Sequence, residues 1–225
     1  MSKDLSFEVK VVMFDLDGTL LNTAPQIAEA ANNMLADLAL PALPYAQIKS
    51  YIGEGAQILI KRCLTGELYK EPDAELFETA QALFFQYYAD NVTDSLPYDG
   101  VIAGLDMIKQ KGLKMACVTN KPEKFSLPLL QQTGLIDYFE LVVSGDTLAK
   151  KKPDPLQLHH ICSKLNVMEV EAMLVGDSAT DIAAAHAAGC FIVTVPYGYN
   201  QGKLIDESKV DAMVLDLTEL PHLLE

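Results

Sequence analysis

The chain has 225 residues, half of them hydrophobic, with 31 acidic against 17 basic side chains and a formal net charge of −14. That length suits one core carrying a sizeable insertion, and the acidic balance argues against nucleic acid as a partner, because binding a phosphate backbone needs a basic surface. No apolar run reaches the roughly 18 to 20 residues of a bilayer span, and the first ten residues, MSKDLSFEVK, lack the apolar stretch of a secretory leader, so no membrane partner and a cytoplasmic location are expected.

The first element is VVMF, residues 11–14, a short apolar run that reads as a buried parallel strand. It delivers Asp15 and Asp17, then Gly18 and Thr19, to the carboxyl end of a strand, where open α/β sheets place their ligands. Two carboxylates one position apart repel each other and resist desolvation, so the pair calls for a divalent cation. From Thr23, read as an N-cap, Pro25 and the helical spacing of Ile27, Ala31, Met34, Leu35 and Leu38 predict a helix. Helical pattern continues to about Asn91, broken by Gly53 and Gly55 in YIGEGAQILIKRCL, residues 51–64, and no strand is expected between 22 and about 95.

After the turn-rich LPYDG, residues 96–100, helix and strand alternate in the βαβ manner. A helix marked by Val101, Leu105 and Ile108 stops at Gly112 before the strand LKMACV, 113–118. A second ends near Gly134 before LVVS, 141–144, and a third, with Leu158, Ile161, Cys162 and Leu165, precedes AMLVG, 172–176. Ser178 is placed to cap a fourth, ended by Gly189 before FIVTV, 191–195, and AMVL, 212–215, suits an edge strand. The predicted organisation is an α/β protein: a Rossmann-like parallel sheet core from residues 1–21 and 96–225, and an all-helical cap, 22–95, inserted after the first strand. With both junctions beside core elements, the cap is expected to act as a hinged lid over Asp15. The four cysteines, Cys63, Cys117, Cys162 and Cys190, form no CxxC pair and read as buried thiols.

Three later segments bring further polar groups to the same edge. The strand 113–118 ends in Thr119 and Asn120, AKKKPDP presents Lys152 before Pro153, and GDSATD, 176–181, carries Asp177 and Asp181. Each is ordinary alone: a DxD loop, a strand ending, a proline turn, a helix N-cap. Their joint appearance along one sheet points to a catalytic constellation.

DLDGT at 15–19, Thr119, Lys152 and GDSATD together resemble the four motifs of the haloacid dehalogenase superfamily, in its phosphatase branch with a helical cap, and the resemblance spans essentially the whole chain. It implies a Mg²⁺-dependent phosphomonoester hydrolase working through an aspartyl-phosphate. Asp15 would be the nucleophile and Asp17 the acid and base. Lys152 would supply positive charge, and Gly18, Thr119 and Asn120 would bind the phosphoryl group. Asp15, Asp177 and Asp17, the last through its backbone carbonyl, would hold the metal, with Asp181 and Ser178 behind them. Within that branch, LLNTAPQIAEAANNML and YIGEGAQILIKRCL resemble the members that act on 2-phosphoglycolate. Sugar phosphates, nucleotide monophosphates and pyrophosphate are alternative substrates. A β-phosphoglucomutase-like mutase and an inactive regulatory binding protein are alternative functions. The partner expected is a small phosphorylated substrate, and monomer and homodimer are both left open.

The loop Gly53, Glu54 and Gly55 is either a helix break or the substrate-reading loop of the cap. Lys61 and Arg62 follow it, and Arg62 is the candidate for meeting a substrate carboxylate. The histidines begin only at His159, which disfavours a mutase that uses a cap histidine. His159 and His160 point to different helix faces, and Tyr197 and Tyr199 read as loop packing.

Overall fold

The computed structural model describes residues 6–225. Strand β1, Val11–Phe14, lies at the centre of a six-stranded parallel sheet. Its neighbours are β4, Lys114–Val118, with Val11 opposite Lys114, and β6, Ala172–Gly176, with Val11 opposite Ala172. Outside these lie β5, Leu141–Val143, on one flank, and β7, Phe191–Thr194, then β8, Ala212–Met213, on the other, giving the order β5-β4-β1-β6-β7-β8. Alternate residues feed opposite faces: Val12, Phe14, Cys117 and Val175 join one apolar cluster, while Val11, Met13, Ala116 and Leu174 join the other. Burial on both faces is why these strands read as unbroken apolar runs.

Helices α5, Val101–Gln110, and α6, Glu123–Gln132, cover the first face, and α7, Leu156–Leu165, and α8, Ala179–Ala188, cover the second. Ser178 caps α8 in a capping box with Asp181, and Gly189 ends it in the left-handed region, both as expected. Gly104 on α5 packs directly against the chain near Leu217.

Between β1 and α5 the chain forms four helices: α1, Ala24–Asp37; α2, Tyr45–Lys49; α3, Ala56–Thr65; and α4, Ala74–Asn91. The buried side of α1 carries Ile27, Ala31, Met34 and Leu35, and α4 buries Ala80, Phe84 and Tyr88, four residues apart in turn. One expectation needs correction. Thr23 makes no side-chain cap to α1; the hydroxyl of Tyr199 accepts instead from the backbone N–H groups of Thr23, at 2.8 Å, and Ala24, at 3.0 Å. The segment's two ends are also paired: β2, Leu21–Asn22, runs antiparallel to β3, Leu96–Pro97. Two-residue strands offer no periodicity from which to read them. No helix among the described residues is long and apolar enough to cross a membrane.

A methyl group at Gly104 would stand 2.4 Å from the carbonyl oxygen of Leu217. Gly104→Ala is therefore expected to destabilise the fold by about 1 to 3 kcal/mol through overpacking, read as a lower urea midpoint at unchanged slope.

Candidate active site

Asp15 follows β1 directly, and its backbone N–H donates to the carbonyl of Val175, so it is fixed by continuation of the ladder. Its carboxylate meets Lys152, whose Nζ lies 2.8 Å from Asp15 Oδ1. The same ammonium donates to Asp181 Oδ1 at 2.7 Å and to the carbonyl of Val118 at 2.9 Å, so all three of its protons are used. Burial works against this ammonium, yet the two carboxylates outweigh it and hold its pKa above the usual lysine value. The backbone of Lys152 is fixed by the side chain of Gln157, which accepts from its N–H at 2.9 Å.

Asp177, at the end of β6, brings a further carboxylate. Its Oδ2 accepts from the backbone N–H of Tyr199 at 2.6 Å and its Oδ1 from the hydroxyl of Thr19 at 3.2 Å. It is wedged between two glycines: a Cβ on Gly18, at φ +89, or on Gly198 would come within 2.5 Å or 2.2 Å of its side chain. Asp181 Oδ2 accepts from the hydroxyl of Ser178 at 2.6 Å and from its N–H at 3.2 Å. One oxygen from each of Asp15, Asp177 and Asp181 lies within 4.8 Å of the others. Burial, opposed by Lys152, raises the Asp15 pKa to about 7, and burial with the neighbouring carboxylates raises that of Asp177 well above its usual value. Crowded hard oxygen donors that resist ionising together fit Mg²⁺. Asp181, its Oδ1 taken by Lys152 and its Oδ2 by Ser178, projects from the first turn of α8, four residues after Asp177.

The side chain of Asp17 stands apart from this cluster. It accepts at 2.7 Å from Nζ of Lys121, a buried lysine just after β4 that also stands 4.9 Å from the ring centroid of Tyr88. Burial opposes the charge on Lys121, and Asp17 more than offsets it, raising the pKa. Sequence reasoning stopped at Thr119 and Asn120 and missed this residue, although a lysine directly after them, at the same strand end, was the available signal. The Thr119 oxygen accepts from the Lys121 backbone N–H at 3.1 Å, which leaves the hydroxyl hydrogen free to donate. Asn120 also lines the cavity that Asp15 and Asp17 border, and its side-chain amide donates to the carbonyls of Lys152, at 2.8 Å, and Gly53, at 3.2 Å, tying the glycine loop to the sheet.

Asp15, Asp17, Thr119 and Lys121 line one side of a cavity of about 50 Å³, closed on the other by Gly53, Gly55, Leu59, Phe84 and Tyr88. Arg62 does not reach it. Its guanidinium is buried and donates to the carbonyls of Leu68 and Tyr51 and, at 2.5 Å, to Glu54, which also accepts from Gln201. Lys61 is likewise turned away, paired with Glu71. Lys150 pairs with Asp154 on the surface, whereas Lys151 is half-buried, its Nζ packed against Gly55. His159 pairs with Glu169, away from the cavity.

A family model described as haloacid dehalogenase-like hydrolase matches residues 12–195. The chain is 51% identical over 218 residues to a phosphoglycolate phosphatase of Thiobacillus denitrificans and 48% identical to one of Nitrosospira multiformis, with 96% of each chain covered in both cases. The crystal structure of a predicted phosphoglycolate phosphatase from Haemophilus somnus superposes with a TM-score of 0.89 at 34% identity, covering 95% of this chain and 96% of that one. The protein belongs to the haloacid dehalogenase-like hydrolase family.

In the folded state Asp15 keeps a proton up to about pH 7 that the unfolded chain releases near 3.8. Between these values the folded form binds more protons, so stability falls as pH rises. The metal-free protein should accordingly melt at a lower temperature at pH 7.5 than at pH 5.5. Added Mg²⁺ should reverse the loss, and Asp15→Asn should weaken the dependence without abolishing it, because the raised pKa of Asp177 acts in the same direction, all read by thermal denaturation.

Proposed function

We propose that this chain is a Mg²⁺-dependent phosphomonoester hydrolase that converts 2-phosphoglycolate to glycolate and inorganic phosphate through an aspartyl-phosphate on Asp15. The observation that carries the reading is the setting of Asp15, which faces the cavity with one oxygen held by Lys152 at 2.8 Å, beside two further carboxylates. The substrate assignment draws on the whole-chain similarity to phosphoglycolate phosphatases.

In the first half-reaction an Asp15 oxygen bonds to phosphorus, the bond from phosphorus to the ester oxygen breaks, and Asp17 gives its proton to that oxygen as glycolate leaves. In the second, Asp17 takes a proton from the attacking water, the new oxygen–phosphorus bond forms, and Asp15 departs as carboxylate with phosphate released. Lys152 keeps Asp15 aligned and offsets its charge, and the free hydroxyl hydrogen of Thr119 donates to a phosphoryl oxygen. Bound Mg²⁺ supplies the positive charge that lets a carboxylate approach a phosphate dianion. Asp15, Asp177 and the Asp17 carbonyl would hold it, with Asp181 and Ser178 supporting.

Residues 22–95 act in this reading as a cap over the core formed by 1–21 and 96–225. Entry and exit through the adjacent strands β2 and β3 support a hinge there, because the whole helical segment can swing on one short ribbon. Four free cysteines suit a reducing compartment, and we place the enzyme in the cytoplasm.

Asp15→Asn should fold normally yet lose turnover by about a thousandfold or more, measured as phosphate released from 2-phosphoglycolate with Mg²⁺. A panel including sugar phosphates, nucleotide monophosphates and pyrophosphate should show the highest kcat/KM for 2-phosphoglycolate. Equal or better turnover of another member would replace the substrate, and undiminished activity in Asp15→Asn would remove its nucleophilic role.

A further inference from the structure

We propose that Lys121 and the hydroxyl of Tyr88 form the subsite for the second anionic group of the substrate, a carboxylate one carbon from the ester oxygen. The inference rests on the reading of the chain as a phosphomonoesterase for 2-phosphoglycolate and assigns the residues that select it.

The argument begins with unspent donors. Among the described residues lining the cavity, Lys121 is the one cation. Lys152 is committed to Asp15, Asp181 and the Val118 carbonyl and has no proton left for a substrate carboxylate. Lys121 uses one donor on Asp17, at 2.7 Å, so its ammonium keeps others free. Tyr88 lies beside it on the cap side, with Nζ 4.9 Å from the ring centroid. Its hydroxyl is buried beside the Lys121 ammonium, and the hydroxyl hydrogen has no acceptor among the described residues. Burying a hydroxyl hydrogen without an acceptor costs free energy, so a ligand that accepts from it gains what the empty site lacks.

Position supports the same assignment. Asp17 must reach the leaving ester oxygen to protonate it, and Lys121 touches Asp17. A carboxylate attached one carbon beyond that oxygen therefore falls next to Lys121, whereas one on a longer chain is carried past it. Phe84, Phe125 and Leu59 surround the place with apolar surface, where an ion pair is screened less than in water. One partner is on the sheet and the other on α4, so a substrate carboxylate bridging them would also hold the helical segment against the core.

The test compares kcat/KM for 2-phosphoglycolate with that for ethyl phosphate, which has the same ester and no carboxylate, in wild type, Lys121→Met and Tyr88→Phe. Lys121→Met should slow both substrates, because Asp17 loses its partner, but should lower the ratio about 100-fold, mainly through KM for 2-phosphoglycolate. Tyr88→Phe, which removes one oxygen and preserves the packing, should lower the ratio about 5- to 10-fold. An unchanged ratio in Tyr88→Phe, or equal losses on both substrates in Lys121→Met, would overturn the subsite. If Lys121→Met fails to fold, Tyr88→Phe decides. A wild-type enzyme that cleaves 2-phosphoglycolate no faster than ethyl phosphate would instead bring down the substrate reading itself.

Discussion

The site depends first on one ammonium group. Three acidic side chains, Asp15, Asp177 and Asp181, are drawn together at the ends of β1 and β6, and burial disfavours the ionised forms of Asp15 and Asp177. Lys152 reaches in from a separate loop and pairs with two of them at once. Its third proton goes to the last carbonyl of β4, so the charge is locked to the sheet and cannot wander with the loop. Removing it would leave two buried carboxylates without their shared partner, a far larger penalty than the loss of a surface pair. Glycines complete the constraint, since Asp177 fits only where Gly18 and Gly198 present no side chain.

The parts that were legible in the sequence are those with a strong local signal. The apolar runs that became β1, β4, β6 and β7 are buried on both faces, so their composition announces them without help from context. The residues at their carboxyl ends, Asp15, Thr119 and Asp177, were legible for the same reason, because strand ends are where such sheets work. What escaped depends on distant contacts. Thr23 looked like a helix cap, but the cap comes from Tyr199, 176 positions away. Arg62 looked like a substrate ligand, but its buried guanidinium points into its own helical segment, onto Tyr51, Glu54 and Leu68, and does not line the cavity. Asn120 lines the cavity, yet the bond of its side-chain amide to the Gly53 carbonyl, 67 positions away, was not legible. In each case the residue type was read correctly as a hydrogen-bonding group and the partner was not, because partner choice is set by tertiary structure.

The loop after β7 joins the chemistry to the helical segment. Tyr199 donates its backbone N–H to Asp177 and receives the first N–H groups of α1 on its hydroxyl, so one residue touches both the acid cluster and the start of the insertion. Two positions on, Gln201 donates to Glu54, which Arg62 holds from behind. Asn120 makes a third tie through Gly53. These contacts are polar and few, while the interior of the helical segment is apolar and shares a continuous cluster with one face of the sheet. Polar ties of this kind can break and re-form against water at small net cost, so the shared apolar surface, including Phe85 and Tyr88 against Phe125, sets most of the resistance to opening.

The same geometry separates rate from selection. Asp15, Lys152, Asp177 and Asp181 are fixed by strand ends and by each other, and none has a contact that varies with the substrate's far end. Lys121 sits differently: its backbone belongs to the sheet side, its charge rests on Asp17, and its neighbour Tyr88 belongs to α4. Any group it binds is sensed both by the acid and by the helical segment. An ester without a second anion leaves that junction unfilled, and the hydroxyl hydrogen of Tyr88 stays without an acceptor. Selection by an unsatisfied buried donor acts against the wrong substrate more strongly than apolar fit alone, because the penalty falls on the protein whenever the carboxylate is missing.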